Sequence, residues 1–419
     1  MKRGHAIYGC SLLLALALQP RAVSQQSATQ SPQAGYQVLH KFHDSPDGAS
    51  PVYELVRDSA GNLYGVTISG GTQNLGTVYK VGAAGKETVL HRFSNKGTDG
   101  NSPFAPLTLD AAGNLYGSTG NGGVAGAGSL FKISPAGKET TLYSFAGGKH
   151  SASPAGRLAL DDAGNLYGTA SGGALGMGTV FKVTPAGRET VLHSFRWADG
   201  FRALGGVVRD SEGNLYGTTE VGGKTFACNC EGCGTVFKLD KTGKYTVLHS
   251  FTGGSDDGGH PAAGVIRDAA GNLYGTASLG GDPNCGVESS GCGVVFKLDR
   301  NGKETVLHSF TGGKDGAYPG AQLFQDDAGS LYGTTAFGGD NNQLCDVIAN
   351  GCGVVFKIDT AGKFTTLYAF KGYPSRSGGE PAGGVIRDPA GNLYGVTSIG
   401  GDLNCQPVNG CGVVFKLTP

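Results

Sequence analysis

Tryptophan is almost missing from this sequence, with a single residue, Trp197, and methionine is scarce, with 2 in 419 residues. Charged residues make up only 16% of the chain, against about 25% in an average domain. Neither sign is in excess, since Lys+Arg and Asp+Glu are both 33. A nucleic-acid binder would show a basic surplus, so that class is set aside. Outside the first twenty residues there is no long apolar run and no segment with 3.6-residue periodicity, which leaves no place for a membrane helix or a helical core. Several catalytic motifs are also missing. There is no Gly-x-Ser-x-Gly elbow, no phosphate loop and no His-Glu-x-x-His.

Glycine is abundant: 76 residues, far above the usual share of roughly 7%. The three-residue glycine period of collagen is absent, and 19 Phe and 16 Tyr at regular places argue against disorder. Short strands joined by tight turns account for both features.

Near the N-terminus, Lys2 and Arg3 precede an apolar run over 6–18, and Ala22-Val23-Ser24 supplies the small residues of a cleavage site. A signal peptide over 1–24 is therefore expected, then a flexible Gln/Ser-rich lead over 25–35 and one domain over 36–419. Secretion follows, extracellular or periplasmic, with no membrane span in the mature chain.

The tripeptide Leu-Tyr-Gly recurs seven times, with its tyrosines at Tyr64, Tyr116, Tyr167, Tyr216, Tyr274, Tyr332 and Tyr394, spaced by 49 to 62 residues. Two further landmarks keep step with it. An aromatic-Lys pair begins at Tyr79, Phe131, Phe181, Phe237, Phe296, Phe356 and Phe415. A Thr-Val-Leu-His-Ser-Phe block ends at Phe42, Phe93, Phe145, Phe195, Phe251, Phe310 and Phe370. Each unit reads as four strands, a to d. In the fifth unit these are 264–267, 273–277, 294–298 and 304–310. Four strands in roughly fifty residues indicate a propeller blade. The phase supports closure. The repeat region opens with a lone strand d at 36–42 and stops at Pro419 after a strand c, so the first strand can complete the last blade and remove the open edge. The expected fold is an all-β seven-bladed propeller.

The repeated Leu-Tyr-Gly-Thr-Thr, Gly-Gly, Gly-Thr-Val-Phe-Lys and Thr-Val-Leu-His-Ser-Phe blocks, clearest over 165–195, resemble the GloVer tandem repeat of secreted and surface bacterial proteins. That resemblance covers about 36–419 and implies no established activity. Members often carry C-terminal anchors; no hydrophobic tail or basic terminus precedes Pro419, so anchoring is not expected. Kelch units are a looser likeness, lacking here their tryptophan, and WD40 units are excluded by the absence of Trp-Asp pairs.

Nine cysteines follow the leader, all in the last four units. Cys285/Cys292, Cys345/Cys352 and Cys405/Cys411 each flank a b–c loop, and Cys228/Cys233 hold the matching place in the fourth unit, leaving Cys230 over. Secretion permits structural disulfides, and no histidine lies near the Cys228 group to complete a metal site. His40, His91, His193, His249 and His308 repeat in strand d, with Tyr143 and Tyr368 in their place elsewhere, which suits a structural role better than catalysis. Asp-Gly pairs at Asp47, Asp99, Asp199, Asp257 and Asp315 read as turns, with Ca²⁺ ligation as the alternative. No other cofactor is expected. Arg57, Arg209, Arg267 and Arg387 end strand a. They either line the channel as a basic ring or pair with neighbouring turn aspartates.

In an antiparallel blade the b–c and d–a connections leave from one end. These are the connections that vary in length, so ligand contacts are expected there, at Trp197, Phe201, Tyr318 and Tyr373. The function expected is a non-enzymatic, monomeric binding or scaffold propeller for an extracellular glycan or protein. A propeller lyase or hydrolase, with His150 and His260 as candidates, and a purely structural surface component are the alternatives.

Overall fold

A computed structural model of the chain describes residues 35–419 except 95, 225–227, 229–230, 286–289, 340–350, 373–376 and 406–409. Seven four-stranded antiparallel sheets form the blades of a β-propeller. Blade 5 shows the pattern: strand a Ile266–Arg267, b Leu273–Ala277, c Val294–Leu298 and d Glu304–Ser309. The last blade contains Ile386–Arg387, Leu393–Thr397 and Val413–Thr418, and its fourth strand is Gly35–Lys41 from the other end of the described chain. Tyr36 pairs with Leu417, Val38 with Phe415 and Lys41 with Val413. The expected closure is therefore present, and the outer edge of strand Val413–Thr418 is covered.

In most blades strand a is shorter than its sequence suggests, although in blade 3 it runs over Ala152–Leu160. In blade 5 only Ile266 and Arg267 are laddered, where four residues were expected. The reason is steric. A Cβ on Gly264 would lie 2.4 Å from the carbonyl oxygen of Gly205 in the preceding blade, so here the inner backbone abuts its neighbour instead of extending its own ladder.

Contact between blades is made by aromatic pairs. The phenylalanine that closes each strand d packs edge-to-face on the strand c aromatic of the next blade. Phe42 meets Tyr79 at 4.9 Å, Phe251 meets Phe296 at 5.1 Å and Phe370 meets Phe415 at 5.3 Å. These rings are buried, and each such pair adds about 0.5–1.5 kcal/mol to its area burial. The same ring explains the glycine of Leu-Tyr-Gly. A Cβ on Gly275 would sit 2.6 Å from Cζ of Phe296, and one on Gly117 would sit 2.4 Å from Cζ of Phe131.

The turns between strands a and b are held by one device. In blade 5 the Asp268 carboxylate accepts the Asn272 backbone N–H at 2.8 Å, the Asn272 side-chain amide at 2.7 Å and the Tyr274 hydroxyl at 3.1 Å. Partial burial would push such a carboxyl up, but the bonds from Asn272 and Tyr274 outweigh it and hold Asp268 below its ordinary range.

A candidate binding face at the long-loop end

At the opposite end of each blade, the d–a loop lies beside the start of the b–c loop. Backbone bridges join Ala49 to Ser69, Phe201 to Val221, Ala317 to Phe337 and Gly379 to Ile399. Short ladders do the same at Gly100–Asn101 and Gly258–Gly259. The d–a loop then reaches a residue with left-handed backbone, and this occurs in all seven blades. The residues are Ser50 (φ 55°), Ser102 (52°), Ser153 (51°), Arg202 (58°), His260 (54°), Tyr318 (56°) and Glu380 (53°). Each donates its N–H to a carbonyl in the b–c region of the preceding blade, as His260 does to Cys233 at 2.9 Å and Tyr318 to Cys292 at 2.8 Å. A proline follows in six of the seven and packs against the glycine that opens strand c of that preceding blade. In blade 4 Ala203 replaces it.

This conformation costs an L-residue about 1–2 kcal/mol, and glycine would adopt it without strain. The chain uses glycine at many other left-handed positions but at none of these seven. The backbone is repeated and the side chains are not: three serines in blades 1–3, then Arg, His, Tyr and Glu. Arg202 pairs with Glu220 at 3.2 Å, and His260 lies beside both. Burial holds the His260 imidazole below its ordinary pKa, against the pull of Glu220 and Glu231, and its Nε2 has no hydrogen-bond partner among the described residues. A cavity of about 430 Å³ opens among the lead-in segments of several blades, lined by Tyr53, Phe104, Asn121, Ser153, Pro154 and Leu204 among others. Phe104 is 41% exposed. Tyr53 and Phe104 were not singled out from the sequence. The x-Pro step in six units marks the position, but a residue before proline is expected to be extended, so the left-handed backbone itself carries no signal in the sequence.

Of the expected contacts, Trp197 and Phe201 lie together, ring centroids 5.2 Å apart, both half-buried. Tyr318 belongs to the left-handed ring and packs edge-on to Phe337 at 6.0 Å. Tyr373 lies outside the described residues. Disulfides join Cys228 to Cys233, Cys285 to Cys292 and Cys405 to Cys411, with Cα atoms 5.2, 5.4 and 5.5 Å apart. Cys345, expected to pair with Cys352, and the leftover Cys230 lie outside the described residues. The bridges also seat the next loop, since a Cβ on Gly253 would lie 2.4 Å from Cys228 Sγ.

The repeated histidines and the Asp-Gly aspartates turn out to be partners. His91 meets Asp99, His249 meets Asp257 and His308 meets Asp315, each at 3.1 Å; His193–Asp199 is 3.3 Å and His40–Asp47 is 3.5 Å. Each described ring also stands edge-on to the phenylalanine two residues on. His150, the other loose candidate, pairs with Glu189 at 3.0 Å. Arg57, Arg209, Arg267 and Arg387 are at the other end of the channel. Arg209, Arg267 and Arg387 lie over the tyrosines Tyr167, Tyr216 and Tyr332 at 5.8, 5.6 and 5.9 Å. Among the described residues no helix is long and apolar enough to cross a membrane.

The model of the Gloeobacter/Verrucomicrobia repeat matches residues 27–230 and 225–419. No curated protein matches the sequence. Among solved structures, the extracellular domain of a B. thetaiotaomicron protein is similar at 10% identity and a TM-score of 0.50, over 89% of this chain and 39% of that one. A gluconolactonase from Xanthomonas campestris is similar at 15% identity and a TM-score of 0.42, over 72% and 87% of the two chains. A luciferin-regenerating enzyme is similar at 15% identity and a TM-score of 0.44, over 75% and 90%.

Proposed function

We propose that this chain, which belongs to the Gloeobacter/Verrucomicrobia repeat family, is a secreted, monomeric, non-enzymatic binding propeller that recognises an extracellular glycan or protein through its long-loop face. The observation that carries the reading is the ring of seven left-handed residues. Strain of this kind is kept where the surrounding structure fixes it and the side chain is wanted. Here one repeated backbone turn presents serine in blades 1–3 and then four different side chains, Arg202, His260, Tyr318 and Glu380. Half-exposed aromatics nearby, Phe104 and the Trp197–Phe201 pair, supply flat apolar surface of the sort that stacks on sugars or anchors protein partners. The disulfides suit an oxidising compartment.

A screen of the mature protein against immobilised glycans and extracellular proteins tests this. A ligand is expected, and Trp197→Ala and Tyr318→Ala should each weaken it about tenfold with the fold unchanged. Unchanged affinity in both variants, or a ligand footprint on the short-turn end, contradicts the reading.

One observation favours an enzyme as the second reading. Arg202, Glu220 and His260 form a titratable cluster with no counterpart at the matching ring positions of the other blades, and burial holds the His260 imidazole below its ordinary pKa, the direction a general base needs. Substrate turnover that is lost in His260→Ala, with binding retained, would move the assignment to a hydrolase or lyase.

A further inference from the structure

The seven blades differ sharply at one level of the channel. The residue just before the first core position of strand a is Glu54, Pro106, Arg157, Gly206, Gly264, Gln322 and Gly384 in turn. Three long polar side chains from blades 1, 3 and 6 thus share the centre with three glycines and a proline. The glycines make room. A Cβ on Gly384 would lie 2.3 Å from the Gln322 carbonyl and 3.1 Å from Cγ of Glu54, and one on Gly206 would lie 2.3 Å from the Arg157 carbonyl. The three side chains are tied to the walls. Glu54 accepts the Gln322 backbone N–H at 3.0 Å, the Gln322 amide donates to the Val265 carbonyl at 3.1 Å, and Arg157 Nη1 donates to the Leu107 carbonyl at 2.6 Å.

These three residues line two cavities, one on each side of them. The one toward the short turns measures about 710 Å³ and takes its walls from six of the seven blades. That size is within the range of small-molecule sites. Its charged lining consists of four guanidiniums, Arg57, Arg157, Arg267 and Arg387, and a single carboxylate, Glu54. None of the four lies within 4.0 Å of a described carboxylate. Two are braced over the tyrosine rings of the preceding blades, and the Arg57 Nε is buried without a hydrogen-bond partner. The nearby turn aspartates already engage their oxygens with asparagine and tyrosine, as Asp58 does with Asn62 and Tyr64. The rest of the wall is largely apolar, with Leu55, Ile266, Phe324 and Ile386 among it.

We propose that this cavity binds a small organic oxyanion, carboxylate or phosphate, with Arg157 at its floor and Arg57, Arg267 and Arg387 at its walls. Guanidiniums suit planar or tetrahedral oxyanions because they donate in pairs, and such bonds gain strength away from bulk water. Burial pushes Arg157 below its ordinary pKa, with Glu54 opposing; the group stays charged, and an anion would complete its neutralisation. The site is independent of the long-loop face, so either proposal can fail alone.

The test is calorimetry and thermal unfolding of the intact mature protein with galacturonate, citrate, glucose 6-phosphate and neutral glucose, in low salt and in 0.5 M NaCl. At least one anion should bind, raise the melting temperature, and weaken as salt is added. Glucose should do none of these. Galacturonate or citrate alone would indicate a carboxylate ligand, and glucose 6-phosphate alone a phosphorylated one; both outcomes support the site. Arg157→Met should weaken binding at least tenfold. Should that buried substitution unfold the protein, the rim variant Arg57→Gln/Arg387→Gln carries the same expectation, and Trp197→Ala should leave anion binding unchanged. Anions that bind no better than glucose, or a rim variant that binds them like the wild type, would overturn the proposal.

Discussion

The two ends of every blade repeat different things. At the short-turn end an aspartate holds the turn from inside, and in all seven blades its oxygens meet residues four and six positions on, as in Asp110 with Asn114 and Tyr116. Even where Ser330 replaces the asparagine in blade 6, the Asp326–Tyr332 bond remains at 3.0 Å. At the long-loop end the connections vary in length, and what repeats is one left-handed residue per blade, its φ within a few degrees, while its side chain runs from serine to arginine to glutamate. The first end repeats side chains because they face the turn and hold it. The second repeats one backbone position whose side chains differ, from the partly buried His260 to the exposed Arg202. On the proposed reading recognition falls to the long-loop end, while the turns and the aromatic contacts between blades hold the fold.

That division can be broken in graded steps. The largest effect should come from removing residues 36–42, which serve neither end but close the ring. Phe42 is fully buried against Tyr79, and its loss alone is expected to cost about 3–5 kcal/mol; the strand pairing with 413–418 goes with it. Denaturant unfolding should show a large drop in midpoint, and a wild-type midpoint would refute closure. Next, Asp268→Ala should cost about 2–3 kcal/mol, because it strips three donors of a charged acceptor.

The same aspartates predict a pH dependence. Asp58, Asp110, Asp161, Asp210, Asp268 and Asp388 are all held below their ordinary pKa; burial alone would raise them, and the asparagine and tyrosine bonds prevail. The folded state then binds fewer protons than the unfolded chain near pH 4. The stability they contribute is present in full above the unfolded value and is lost as pH falls through the folded one. The denaturation midpoint should fall from about pH 4 downward, and Asp268→Asn should flatten that fall.

Smaller still is the effect of reduction. Each bridge closes a loop of five to seven residues and should stabilise by about 2 kcal/mol at most. Because these bridges seat long loops of blades 4, 5 and 7, reduction should loosen that half of the long-loop face first, read as faster amide exchange there than in blades 1–3.

Much of this arrangement was legible in the sequence. The blade count follows from Leu-Tyr-Gly, and closure follows from a strand d that precedes any strand a. Some pairings could have been read and were not. Asp-Gly is present in the five units with a strand d histidine and missing from those with Tyr143 and Tyr368, which marks His and Asp as partners. Other features have no linear trace. The left-handed backbone at His260 or Glu380 is imposed by a carbonyl from the preceding blade, and neither residue type announces it. Glu54, Arg157 and Gln322 meet only because the ring closes, from positions far apart in the chain. The short strand a of blade 5 likewise reflects Gly205 of the neighbouring blade, which no local pattern reports.

The claim that recognition belongs to the long-loop end is tested most directly by one paired binding measurement. A ligand from the glycan and protein screen would be titrated into the wild type, into Trp197→Ala/Tyr318→Ala, and into the turn variant Asp268→Asn, below the unfolding temperature of all three. The account predicts that the long-loop variant loses at least tenfold in affinity with an unchanged unfolding midpoint, while the turn variant is destabilised and binds like the wild type. Retained affinity in the long-loop variant, with loss in the turn variant, would contradict it.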